Sequence, residues 1–130
     1  MKSNTNELRK ELTTLLKTVT TNVYYKNIMR PTKPYIVFTV KELSTTAGRT
    51  SCQLEVNCVA KTPAEVNTMA DSVQDIFDGE IDNGTKLMFY AFRGSRQIVE
   101  EEDKSIERIR LMIDLYVYSK YEEETQNEND

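Results

Sequence analysis

The sequence predicts an α+β domain with a mainly antiparallel sheet of about four strands and two helices packed on one face. Three observations carry this. Two segments repeat apolar residues at helical spacing, four alternate apolar and polar residues at strand spacing, and the order is α-β-β-α-β-β. The chain has 130 residues, enough for one domain that buries roughly two thirds of its unfolded surface. Residues 1–121 are read as that domain and residues 122–130 as a disordered acidic tail, because EEETQNEND has no apolar residue to anchor it.

The first helix lies in NELRKELTTLLKTV, where Leu8, Leu12, Leu15, Leu16 and Val19 form one stripe. Asn4 and Glu7 stand at the spacing of an N-terminal capping box. Thr18, Thr20 and Thr21 weaken the helix, and VYYKN begins extended chain. The prolines of RPTKPYIVFTVKEL keep residues 30–34 out of helix, and β-branched and aromatic residues then favour a strand. Ile36, Phe38 and Val40 share one of its faces; Tyr35, Val37 and Thr39 share the other.

STTAGR is a turn signal, and in TSCQLEVNCVA the residues Cys52, Leu54, Val56 and Cys58 alternate with Gln53, Glu55 and Asn57. The two runs read as an antiparallel hairpin. Cys52 and Cys58 are six positions apart, about 20 Å along a straight strand. A disulfide needs Cα atoms within about 7 Å, so both thiols are expected free and buried.

The second helix is TPAEVNTMADSVQDIF. Thr62 is its N-cap, Pro63 suits the first turn and Glu65 completes a capping box, while Val66, Met69, Ala70, Val73, Ile76 and Phe77 trace the buried face. DGEIDNG has a superficial likeness to a calcium loop. Counted from Asp78, the sixth and twelfth positions hold Asn83 and Phe89 instead of Gly and Glu, so the segment reads as a turn. KLMFYAFRG is the third strand. SIERIRLMIDLYVYSKY is the fourth, with Ile109, Leu111, Ile113, Leu115 and Val117 on one face and Arg108, Arg110, Met112, Asp114, Tyr116 and Tyr118 on the other. The uncovered sheet face, with Tyr35, Val37, Met112, Tyr116 and Tyr118, is more apolar than solvent alone requires and suggests contact with other chains.

The reactive inventory is short. There is no histidine, which removes the commonest general base and the commonest metal ligand. No phosphate-binding glycine loop or nucleophile elbow is present. The longest apolar runs are far short of the roughly 20 residues that span a bilayer, and no apolar segment follows Met1-Lys2 as in a secretory signal. No cofactor or catalytic residue is expected, and neither is an enzyme.

Charge is distributed unevenly. Residues 1–99 carry 13 basic and 10 acidic side chains, a net of +3, and residues 100–130 carry 4 and 11, a net of -7. The basic residues are dispersed, unlike the stripe of a nucleic-acid-binding module. Four consecutive acids, Glu100, Glu101, Glu102 and Asp103, splay apart and repel one another, which suits a solvated or docking loop better than catalysis or metal binding. Lys26, Arg30 and Lys33 precede the first strand, and Arg93 and Arg96 precede the acidic run. In a head-to-tail assembly these basic groups on one copy would face Glu100–Asp103 on the next, the charges setting orientation more than affinity.

The N-terminal amphipathic helix, the RPTKPYIVF strand entry, the AEVNTMADSVQDIFDG helix and FRGSRQIVEEEDKSIERIRLMIDLYVY together resemble the tail-completion (tail-terminator) proteins of long-tailed bacteriophages, over roughly residues 5–120. The resemblance implies a subunit of a homo-hexameric ring at the head-proximal end of the virion tail, assembled in the host cytoplasm. Such a ring stops polymerisation of the tail-tube protein and joins the tail to the head connector, and DNA passes through it without specific binding. The family brings no catalytic residues. The alternatives are a neighbouring head–tail connector or neck protein and, from another class, a small carboxylate-dependent cytosolic enzyme.

Overall fold

The computed structural model describes residues 5–26, 32–46 and 48–119. It contains α1 (Thr5–Leu16), β1 (Val23–Tyr25), β2 (Tyr35–Thr46), β3 (Arg49–Ala60), α2 (Pro63–Ile76), β4 (Gly79–Ile81), β5 (Leu87–Val99) and β6 (Glu107–Ser119). Asn4 and the acidic tail lie outside the described residues.

Two long hairpins, β2–β3 and β5–β6, meet through antiparallel pairing of β3 with β6. The sheet order is β1-β2-β3-β6-β5-β4, and β1 joins β2 in parallel while every other pair is antiparallel. The predicted α+β class and its four long strands are therefore present, with a short strand added at each edge. β1 extends the VYYKN segment against Ile36–Phe38. β4 lies within DGEIDNG, which the sequence presents as a turn only. Gly79 turns the chain out of α2 at φ +79°, Gly79–Ile81 pair with Phe89–Ala91, and the turn proper follows, where Asp82 Oδ1 accepts from Gly84 N at 3.0 Å.

The core lies between one sheet face and both helices. Leu8, Leu12 and Leu16 of α1 and Val66, Met69, Ala70 and Val73 of α2 pack on Ile36, Phe38, Leu54, Val56, Leu111, Ile113 and Leu115. Each of these side chains other than Ala70 contributes about 1.5–3 kcal/mol on burial. The local signals of α2 hold as well: Thr62 Oγ1 accepts from Glu65 N at 3.2 Å, while Glu65 Oε1 reaches back to Lys61 N at 3.4 Å. The reciprocal arm thus caps the residue before Thr62.

Cys52 and Cys58 are free and buried among these side chains. Burial, aided by the charge of Glu42, pushes the Cys52 thiol from 9.0 up to about 11; burial pushes Cys58 up to about 12 against the opposing pull of Arg96. A folded-state pKa raised above its unfolded value gives stability that is complete below about 9 and is lost as pH climbs toward 11 and 12. We expect a disulfide-exchange thiol reagent at pH 7–8 to label neither cysteine in the native protein and both in denaturant. Rapid native labelling would contradict the burial described here.

Candidate docking surface

The acidic loop between β5 and β6 sits at the end of the sheet where β2 begins, and part of it is engaged within its own chain. Asp103 Oδ1 accepts from Ser105 N at 2.9 Å and from Ser105 Oγ at 2.7 Å. These bonds, assisted by the charge of Lys33, hold the exposed Asp103 carboxyl below its usual range. Lys33 Nζ in turn donates to the Ser105 carbonyl at 3.2 Å. Glu101 accepts from Arg108 Nε at 2.5 Å, a half-buried pair that ties the loop to the first turns of β6. Glu100 and Glu102 are exposed and have no partner among the described residues.

The basic residues separate in the same way. Arg96 lies on the helix side of β5 and clasps α2, donating to Asp71 Oδ1 at 2.7 Å, Gln74 Oε1 at 2.9 Å and Asn67 Oδ1 at 3.0 Å. Three donors of one planar guanidinium engage three successive helical turns, which fixes α2 over the β5 side of the sheet. Arg93 projects from an exposed stretch of β5. Lys26 is exposed at the end of β1, its φ of +66° bending the chain away, with Nζ 5.7 Å from the Tyr25 ring centre. Arg30 lies outside the described residues. Asn22 Nδ2 donates to the carbonyls of Thr32 and Pro34 at 3.2 Å each, which brings Lys33 to the start of β2.

The sheet face away from the helices carries a second feature. Phe92, 44% exposed, packs 5.5 Å from Tyr90 and 5.4 Å from Tyr116, and the Arg49 guanidinium lies 4.5 Å over the Tyr116 ring. Leu43, 55% exposed, lines a shallow groove of about 300 Å³ with Ser51, Cys52, Asp114, Tyr116 and Phe92. Of the residues expected on this face, Tyr116 and Met112 are half-buried, whereas Tyr35 is buried rather than presented to a partner. Tyr90, Phe92, Leu43 and Arg49 join the face without being among the residues expected there. Alternation along LMFYAF does identify the first two, since Leu87, Phe89 and Ala91 point inward. The same two-residue period through Tyr35, Val37, Thr39 and Lys41 places Leu43 on this face, and the bulge between Glu42 and Ser44 shifts the register only beyond it.

A groove of about 640 Å³ runs between α1 and the segment 83–87. Its charged lining is Glu7, Lys10, Glu11 and Lys86, with Glu7 and Lys86 paired at 3.3 Å. Among the described residues, no three Cys, Asp or Glu side chains converge as metal ligands would. What the surface offers is charged loops, exposed aromatics and strand edges.

No family model matches the chain, and no curated protein matches it. Among solved structures it is similar to a chain described as "Virion of native gene transfer agent (GTA) particle", with a TM-score of 0.57 and 16% sequence identity over 81% of this chain and 84% of that one. At that identity the similarity is one of fold.

Proposed function

We propose that this chain is a structural subunit of a phage-like virion, acting as a ring that caps the head-proximal end of the tail tube. The observation that carries the reading is the fold, which is shared over most of both chains with a component of a gene transfer agent virion. The tail-terminator pattern in the sequence supplies the finer position. The surface adds support: exposed aromatics at the solvent face of a sheet suit partner contacts, and exposed Glu100, Glu102, Lys26 and Arg93 give a contact its orientation. The work of such a protein is done by surfaces: copies associate with each other, with the last ring of tube protein and with the head connector.

The test is to add the purified protein to polymerising tail-tube subunits and measure tube lengths by negative-stain microscopy. Growth should stop, leaving short tubes with a cap at one end. Tubes that lengthen as fast as without the protein would remove the terminator role, and binding to the head connector alone would favour the neighbouring neck position.

A further inference from the structure

Each side of the sheet ends in an open strand edge. β1 pairs with β2 only at Ile36–Phe38, so among the described residues no strand pairs with Thr39–Lys41 on that side. Among the described residues β4 pairs with β5 only at Phe89–Ala91, and no strand pairs with Phe92–Val99 on the other side. Open strand edges are templates for another strand, and natural proteins guard them unless they are used. Here each edge carries a bulge, between Glu42 and Ser44 in β2 and between Arg93 and Arg96 in β5. Inside the bulges remain two straight stretches of equal length, 39–41 and 97–99.

We infer that β5 residues 97–99 of one copy pair antiparallel with β2 residues 39–41 of the next, joining the sheets of neighbouring subunits into one continuous ladder. The inference rests on the ring reading above and names its interface. The strand directions fit. β2, β3, β6 and β5 alternate in direction across the molecule, so the β5 edge meets the β2 edge of an identically oriented copy in antiparallel sense.

The faces and charges fix one register. Ile98 pairs with Ile109 on the helix side of the sheet, yet it is 74% exposed. Placing Ile98 opposite Val40 of the next copy, also on the helix side, covers it and sets Gln97 opposite Lys41 and Val99 opposite Thr39. Sliding β5 two residues further along β2 would run into β1. In the chosen register β5 ends where Lys26 N donates to the Phe38 carbonyl at 3.0 Å, so exposed Glu100 arrives beside Lys26 of the next copy. Glu100 and Lys26, both exposed within one chain, then meet between subunits.

The register also sets the inclination of the strands. Within one molecule Val40 stands level, through Leu54 and Ile113, with Arg93. At the junction it faces Ile98, level with Ile109, a shift of four residues along β6 and about 13 Å at ~3.3 Å per residue. Four strands at ~4.8 Å are about 19 Å wide. That ratio inclines the strands about 35° to the assembly axis, close to the tilt of closed barrels, so the ladder can close on itself instead of running on as a flat filament.

The test is a disulfide between Gln97→Cys and Lys41→Cys in one chain. Within a molecule Gln97 is level with Val37, so it stands three strand spacings and four residues from Lys41, about 20 Å, beyond disulfide reach, and only neighbouring copies can link. Oxidation at high concentration, or after addition to tube ends, should give a ladder of covalent multimers. Each single variant should give dimers at most, and Gln97→Cys with Thr45→Cys should give no ladder. Multimers seen by light scattering without the expected link would overturn this edge pairing and leave the ring reading standing. No association under any of these conditions would overturn both. Ile98→Lys supplies an independent arm: its circular dichroism and melting should match wild type while self-association weakens at least tenfold, and unchanged association would overturn the pairing.

Discussion

Phe38→Ala is expected to destabilise the protein by about 3–5 kcal/mol, the range for removing a fully buried phenylalanine. Phe38 is 0% exposed, faces both helices from β2 and stands opposite Val56 of β3. Its ring also lies edge-on to Tyr25 at 5.1 Å, so the truncation removes the aromatic contact that seats the three-residue β1 on the sheet. The ladder with β2 and the Tyr24–Tyr35 contact remain, so the Lys26 end of β1, next to Tyr25, is expected to loosen first. Urea unfolding should show a lower midpoint at nearly unchanged slope, and a midpoint within error of wild type would contradict the core described here. Phe92→Ala is the companion measurement. That side chain lies on the open sheet face, and its loss should change monomer stability by less than about 1 kcal/mol.

Gly94→Ala is expected to cost about 2–3 kcal/mol, the scale of an overpacked site. A Cβ at Gly94 would stand 2.5 Å from the Met112 carbonyl oxygen and 3.1 Å from its carbon. These are backbone atoms of the paired strand, so the β5–β6 ladder must open at the bulge to admit a methyl group. The constraint is space rather than backbone conformation, unlike Gly48, Gly79 and Gly84, which have positive φ and open space where a Cβ would stand. Arg96 follows two residues later, so the shift also loosens the clasp on Asn67, Asp71 and Gln74. Ser95→Ala, in the same bulge, should stay within about 0.5 kcal/mol. Equal melting temperatures for Gly94→Ala and wild type would show that the two strands do not approach as described.

Several features of the docking surface could be read from residue types, and their grouping could not. The acidic run, Lys33, Arg93 and Arg96 stand out in the sequence as charges near predicted strand ends. The structure distributes them differently: Arg96 turns inward to α2, Lys33 and Asp103 converge on Ser105, and Glu100, Glu102, Lys26 and Arg93 remain exposed. A long charged side chain takes the partner that folding brings within about 3 Å, and that partner is commonly far away in sequence. Arg96 and Asp71 are 25 positions apart, Lys33 and Ser105 72. No spacing rule reaches across such separations.

The sequence by itself determined the two helices, the four long strands and the face that each buries, because the 3.6- and 2-residue periods are imposed by one buried side and repeat over a dozen residues. Only the tertiary structure decided β1 and β4. Three residues are too few to display a period, and they become strands because a neighbouring edge supplies their hydrogen bonds. The same long-range pairing decided where each edge is left uncovered, since an open edge depends on which segments come to lie beside it and not on its own residues.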